Sequence, residues 1–73
     1  MRTYNCNSPL TGTLTIQHVA DGARVSAGET VAEVECMKTL WGITAPAAGV
    51  VRYKATLGQT VGDGELVAII EGD

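Results

Sequence analysis

Few side chains in this 73-residue chain are equipped for chemistry. Two cysteines, Cys6 and Cys36, stand thirty positions apart and form no CxxC unit; a small secreted scaffold would carry more. They read as reduced thiols behaving as small hydrophobes. His18 is the single histidine, so a histidine-based metal site has too few imidazoles, and it reads as a surface residue entering a turn. Glu33 and Glu35 alternate along one stretch and read as a solvated strand face, with no second carboxylate pair to work across a cleft. No nucleophile–base pair, phosphate loop or metal cluster is present. No catalytic residue and no metal ligand is therefore expected. What remains is Lys38, in the run Glu35-Cys36-Met37-Lys38-Thr39-Leu40-Trp41.

Composition narrows the setting. At 7.6 kDa the chain is one domain at most, and a chain of this size buries only about 60% of its unfolded surface. With three aromatic residues and no phenylalanine, the core must be built from Val, Ile, Leu and Ala. Five basic residues (Arg2, Arg24, Lys38, Arg52, Lys54) are scattered among eight acidic ones, leaving no basic footprint for nucleic acid. The longest strongly apolar stretch, Leu66 to Ile70, falls far short of a membrane span of about 20 residues. The start, Met1-Arg2-Thr3-Tyr4-Asn5, lacks an apolar signal region, so a cytoplasmic location is expected.

An internal repeat organises the elements that must hold Lys38. Ser8-Pro9-Leu10-Thr11-Gly12 resembles Ala45-Pro46-Ala47-Ala48-Gly49 at an offset of 37, and Gly22 through Glu35 resembles Gly58 through Glu71 at an offset of 36. The one-residue difference falls around Gln17 to Asp21, where a turn tolerates it. Two copies too small to fold alone imply a pseudo-symmetric domain in which each covers the other's apolar face. The single domain is expected over 1–73, with the copies at about 8–35 and 45–71.

Within each copy the elements read as strands. Thr13 to Gln17 alternates polar and apolar, and Val50 to Lys54 is β-branched and aromatic. Val31 to Met37, Thr39 to Thr44, Leu66 to Glu71 and Arg2 to Asn7 are four more. Turn residues separate them at Asp21-Gly22, Ala27-Gly28, Leu57-Gly58 and Gly62-Asp63-Gly64, and all nine glycines are read as turn geometry. Pro9 and Pro46 suit strand entrances, and the glycine three residues on permits a bulge or close approach. Short strands at regular spacing, with no helical period, predict an all-β sandwich or barrel.

Met37-Lys38 is the one feature that the repeat does not explain. Copy one turns tightly after Glu35 into the next strand, whereas copy two stops soon after Glu71. The turn lacks the Asn-Gly or Asp-Gly of ordinary two-residue hairpins. A local rule broken in this way marks function.

The run Glu35-Cys36-Met37-Lys38-Thr39, with Ile43-Thr44-Ala45-Pro46-Ala47-Ala48-Gly49 behind it, resembles the biotinyl domain of biotin carboxyl carrier proteins. That family usually reads Glu-Ala-Met-Lys-Met at the hairpin and Ala-Pro-x-x-Gly beyond it, with an earlier Pro-x-x-Gly like Pro9 to Gly12. The resemblance spans about Ser8 to Gly72. It implies a flattened barrel of two four-stranded antiparallel sheets with quasi-twofold symmetry, and a Lys38 that carries biotin in amide linkage at a hairpin tip. It also implies a non-catalytic carrier that shuttles a carboxyl group between biotin carboxylase and carboxyltransferase after loading by a biotin protein ligase. Glu35, Cys36, Met37 and Thr39 would then be the ligase's recognition residues.

Three departures stand out. Cys36 replaces the usual alanine, Thr39 replaces methionine, and Leu40-Trp41 puts bulky apolar residues where polar ones are common. Trp41 is either a strand residue covering the core or, with Leu40, a docking patch for a partner. Met37 favours biotin over lipoate, since lipoyl relatives usually carry Asp there. The alternatives are a lipoyl-type acyl carrier and an unmodified interaction barrel. No thumb segment interrupts Leu14 to Val25, which leans toward carriers of acyl-CoA, pyruvate or decarboxylase systems. Lys54 serves as an internal control, placed mid-strand at the repeat position of Gln17.

Overall fold

Alternating apolar residues bounded by turns produce eight strands: β1 (Arg2–Asn7), β2 (Gly12–Gln17), β3 (Arg24–Val25), β4 (Thr30–Cys36), β5 (Thr39–Thr44), β6 (Gly49–Tyr53), β7 (Thr60–Val61) and β8 (Leu66–Gly72). The structure is a computed structural model and describes residues 2–72; the expected domain limits, Met1 and Asp73, lie outside the described residues. Six strands fall where the sequence predicts them. The two-residue strands β3 and β7 were not expected, because two residues carry no periodicity. Lys54 lies one residue beyond β6 instead of mid-strand, its N–H donating to the Val67 carbonyl at 2.7 Å.

The strands form two four-stranded sheets, ordered β1-β8-β6-β3 and β5-β4-β2-β7, and every pairing is antiparallel. Advancing each strand by four converts one order into the other, which is the expected quasi-twofold symmetry. Each sheet takes strands from both halves, so neither half can complete a sheet alone. The connecting turns are fastened in matched pairs. Leu14 N–H bonds the Gln59 carbonyl at 2.9 Å as Val51 N–H bonds that of Ala23 at 2.9 Å, and Gly58 N–H bonds Leu14 as Gly22 N–H bonds Val51, both at 2.8 Å.

The core is the repeat read in three dimensions. Leu14 and Val51, Val25 and Val61, Val31 and Val67, Ala32 and Ala68, and Val34 and Ile70 are buried as equivalent pairs. Cys6 is the counterpart of Ile43 and is buried as a free thiol, so it serves as a core hydrophobe. Ser8 is the counterpart of Ala45, and its buried hydroxyl donates to the Leu10 carbonyl at 2.6 Å.

The glycines divide into more than one kind. Gly22, Gly28, Gly58 and Gly64 have positive φ, as turns require. Turn geometry is the wrong reason for Gly12 and Gly49. A Cβ on Gly12 would collide with the Glu35 carbonyl oxygen and stand 2.8 Å from Val34 Cγ1; one on Gly49 would collide with the Glu71 carbonyl oxygen and stand 2.8 Å from Ile70 Cγ2. These two permit close backbone approach, as expected of the glycine three residues after Pro9 and Pro46. Gly42 and Gly72 lie within β5 and β8.

A buried thiol and a half-buried phenol set an alkaline limit. Burial pushes the Cys6 thiol above its ordinary value. Burial also raises the Tyr53 hydroxyl, against the lowering effect of its hydrogen bond to Val19 and with the Asp21 carboxylate adding to the rise. That hydroxyl reaches the carbonyls of Val19 and Val31, each at 2.8 Å, and pins the loop after β2 to β4. The unfolded chain ionises both groups at lower pH than the folded one. Their contribution is therefore complete below the ordinary thiol value of 9.0 and is lost as pH rises through the higher folded-state values. Urea titrations should accordingly show a midpoint that falls above that pH, with a smaller fall in Cys6→Ala. In the same assay Gly49→Ala should destabilise by about 1–3 kcal/mol, because a methyl group cannot be inserted against a backbone carbonyl without displacing a strand; an unchanged midpoint would refute the close-approach reading.

Candidate functional site

The site is the hairpin between β4 and β5. Cys36 and Thr39 close it as a register pair, leaving Met37 and Lys38 as the two turn residues. A two-residue turn that follows the right-handed strand twist needs positive φ at both positions, which favours Asn and Gly. Met37 adopts φ 51° and Lys38 φ 65°, the two non-glycine residues with positive φ among those described. Left-handed backbone costs an ordinary side chain about 1–2 kcal/mol. The ladder below holds the strain: β4 pairs with β5 on one side and β2 on the other, and Gly12 lets β2 close against Glu35 at the base of the hairpin.

The strained pair is fully presented. Met37 is 92% exposed, and Lys38 is exposed beside it. Among the described residues the Lys38 amine meets no carboxylate; the ion pairs join His18 to Glu33, and Arg52 to Glu71 at 3.0 Å. An unpaired primary amine at a rigid tip can act as an acyl acceptor and has room for an attached group. Lys54 offers the contrast: its side chain is exposed, but it sits beside a fastened strand end and not on a projecting turn.

The other residues singled out in the sequence surround the turn. Glu35 is exposed and pairs in register with Leu40; Cys36 is a half-buried free thiol, and Thr39 is exposed. Leu40 is 46% and Trp41 48% exposed. Trp41 lies opposite the fully buried Val34, so it takes an inward register position on β5, the edge strand of its sheet, yet half of it remains uncovered. His18, read as a turn-side surface residue, is exposed and bonds the Glu33 carboxylate, so Glu33 is a partnered, half-buried residue and not a freely solvated one. Sequence reasoning overlooked that Gly12 supports the base of this hairpin; the signal was available in its match to Gly49. No group of three or more potential metal ligands occurs, and no pocket is enclosed, among the described residues.

The geometry agrees with relationships to known proteins. The family model described as biotin-requiring enzyme matches residues 5–70. Acetyl-CoA carboxylase 2 of Oryza sativa subsp. japonica is 42% identical over 55 residues, and acetyl-CoA carboxylase 1 of Arabidopsis thaliana 36% identical over 55; each match covers 75% of this chain and 2% of the relative. The crystal structure of the Kluyveromyces lactis urea carboxylase superposes with a TM-score of 0.88 at 32% identity, over 97% of this chain and 6% of that one. A single-chain, multi-domain long-chain acyl-CoA carboxylase superposes with a TM-score of 0.77 at 29% identity, over 97% of this chain and 7% of that one. The chain thus spans a small fraction of the length of each of these relatives.

The strain at the tip can be measured. Met37→Asn, which places a residue tolerant of left-handed backbone at the first turn position, should stabilise the chain by up to about 1 kcal/mol. The urea midpoint should rise with an unchanged slope. A lower or equal midpoint would mean that Met37 is not strained.

Proposed function

The chain belongs to the biotin-requiring enzyme family, and from that premise we propose that it is the biotin carboxyl carrier domain of a biotin-dependent carboxylase, loaded at Lys38. The observation that carries this reading is the exposed, unpaired amine held at the tip of the one hairpin that breaks the repeat. In its deprotonated form the Lys38 Nζ attacks the carbonyl of an activated biotinyl group held by a biotin protein ligase. The new C–N bond forms as the activating group leaves with its electron pair, and the nitrogen gives up one proton. Once bound, biotin supplies the carboxyl-carrying chemistry, and the protein supplies position.

Each neighbouring residue has a part in this proposal. Met37 and Thr39 flank the amine, and Glu35 and Cys36 frame the strand behind it; together they form the surface the ligase reads. Leu40, set outward beside Glu35, extends that surface toward a partner protein, with Trp41 next to it. The domain occupies 1–73 and is itself non-catalytic. Biotin carboxylase and carboxyltransferase sites lie elsewhere in the assembly, and tethering gives the arm a high effective concentration at each. No helix among the described residues is long and apolar enough to cross a membrane.

Intact-mass measurement before and after reaction with biotin, ATP and a biotin protein ligase tests the reading. One biotinyl mass should be added to the parent chain and to Lys54→Arg, and none to Lys38→Arg. Gain of a lipoyl mass in cells supplied with both cofactors would instead identify an acyl carrier. Met37→Ala should lower kcat/KM for loading about tenfold, the equivalent of ~1.4 kcal/mol for one lost interface contact.

A further inference from the structure

Trp41 is half uncovered although it stands on the inward-facing register of β5, opposite the fully buried Val34. As β5 is an edge strand, no neighbouring strand in its sheet shields the outer side of the indole. With Met37 at the tip and Leu40 on the opposite face of β5 it leaves apolar surface near Lys38, and among the described residues the other large exposed hydrophobe, Leu57, lies in the segment between β6 and β7. Lys38 is three residues away.

We propose that the indole of Trp41 is the resting site of the bicyclic, sulfur-containing head group carried by Lys38. This rests on the assignment of Lys38 as the attachment residue. Reach permits it: three residue steps, at strand spacing, separate the two Cα atoms by at most about 10 Å. The arm from the Lys38 Cα to the ring system has about eleven bonds and extends about 14 Å at standard bond lengths. Chemistry favours it as well. A thioether sulfur packs well against an aromatic ring, and the flat ureido ring offers a second face to the indole. Permanent attachment removes the need for high affinity. A short flexible tether supplies an effective concentration in the millimolar range, so a contact with an intrinsic dissociation constant of about 1 mM is already half occupied. A partner protein seated on the same ring would have to be recruited from solution, whereas the arm never leaves its vicinity. A weak contact of this kind holds the head group close to the barrel between visits and releases it readily to an active site.

Trp41 is the single tryptophan, so its fluorescence reports on this contact alone. The experiment compares acrylamide quenching in the unloaded chain, the ligase-loaded chain with one biotin confirmed by intact mass, and Lys38→Gln, which removes the charge without adding a ring. Half occupancy should lower the quenching constant of the loaded chain to about half that of the unloaded one, with Lys38→Gln matching the unloaded chain. Equal quenching in loaded and unloaded chains overturns the proposal, as does an equal drop in Lys38→Gln. Failure to load at all, seen in the mass spectrum, overturns instead the assignment of Lys38.

Discussion

Each of the two sheets is built from strands of both halves of the chain, and the rest of the molecule follows from that interleaving. β4 and β2 need β5 and β7 from the second half, and β8 and β6 need β1 and β3 from the first. Within each half two strands pass close together at an equivalent point, where Gly12 and Gly49 meet the carbonyls of Glu35 and Glu71. Apolar residues then fall into equivalent pairs across the core, and the fastening hydrogen bonds between turns come in matched sets. A chain this small has little stability to spare, typically about 5–15 kcal/mol. Using one solution twice lets a few Val, Leu, Ile and Ala side chains fill a core without large aromatic rings.

Symmetry also explains why the Met37-Lys38 hairpin is where it is. The register that pairs Cys36 with Thr39 in one sheet pairs Gly72 with Arg2 in the other. One of these two equivalent positions is bridged by a turn, and that turn is Met37-Lys38. Its backbone is strained at both residues, which a free peptide would relieve by opening. Here the ladder of β4 with β5 and β2 prevents opening, so the strain becomes orientation: an amine and a methionine held outward on a rigid base. Leu40 and Trp41 follow along the edge strand on its two opposite faces, and each keeps about half of its surface exposed.

Much of this was legible in the residues before any coordinates. Alternation in Thr13 to Gln17, β-branched and aromatic content in Val50 to Lys54, and the repeated pattern of Val31 to Met37 and Leu66 to Glu71 marked strands, because a half-buried sheet favours such residues at a period of two. The matching Pro-x-x-Gly segments and Val-Ala-x-(Val/Ile)-Glu strands announced two copies, and the unmatched Met37-Lys38 stood out against them. The short strands β3 and β7 escaped notice, since two residues leave no pattern. The Pro-x-x-Gly segments marked Gly12 and Gly49 as places for a bulge or close approach, but spacing along the chain does not say which strand will pass there or how near. Lys54 was expected within a strand, but the pairing of β6 with β8 ends at Tyr53.

Residue order alone determined the all-β class, the duplication, the core composition and the single lysine set apart from the repeat. These are properties of periodicity and spacing, which are local. Only the tertiary structure decided that Met37 and Lys38 both take left-handed backbone, that Gly12 braces the hairpin through contact with Glu35, and that Trp41 stays half uncovered on an inward register. Each depends on which strand lies alongside: the approach of β2 to β4 at Gly12, the ladder that keeps the turn shut, and the missing neighbour beyond β5 exist only once the sheet has been assembled.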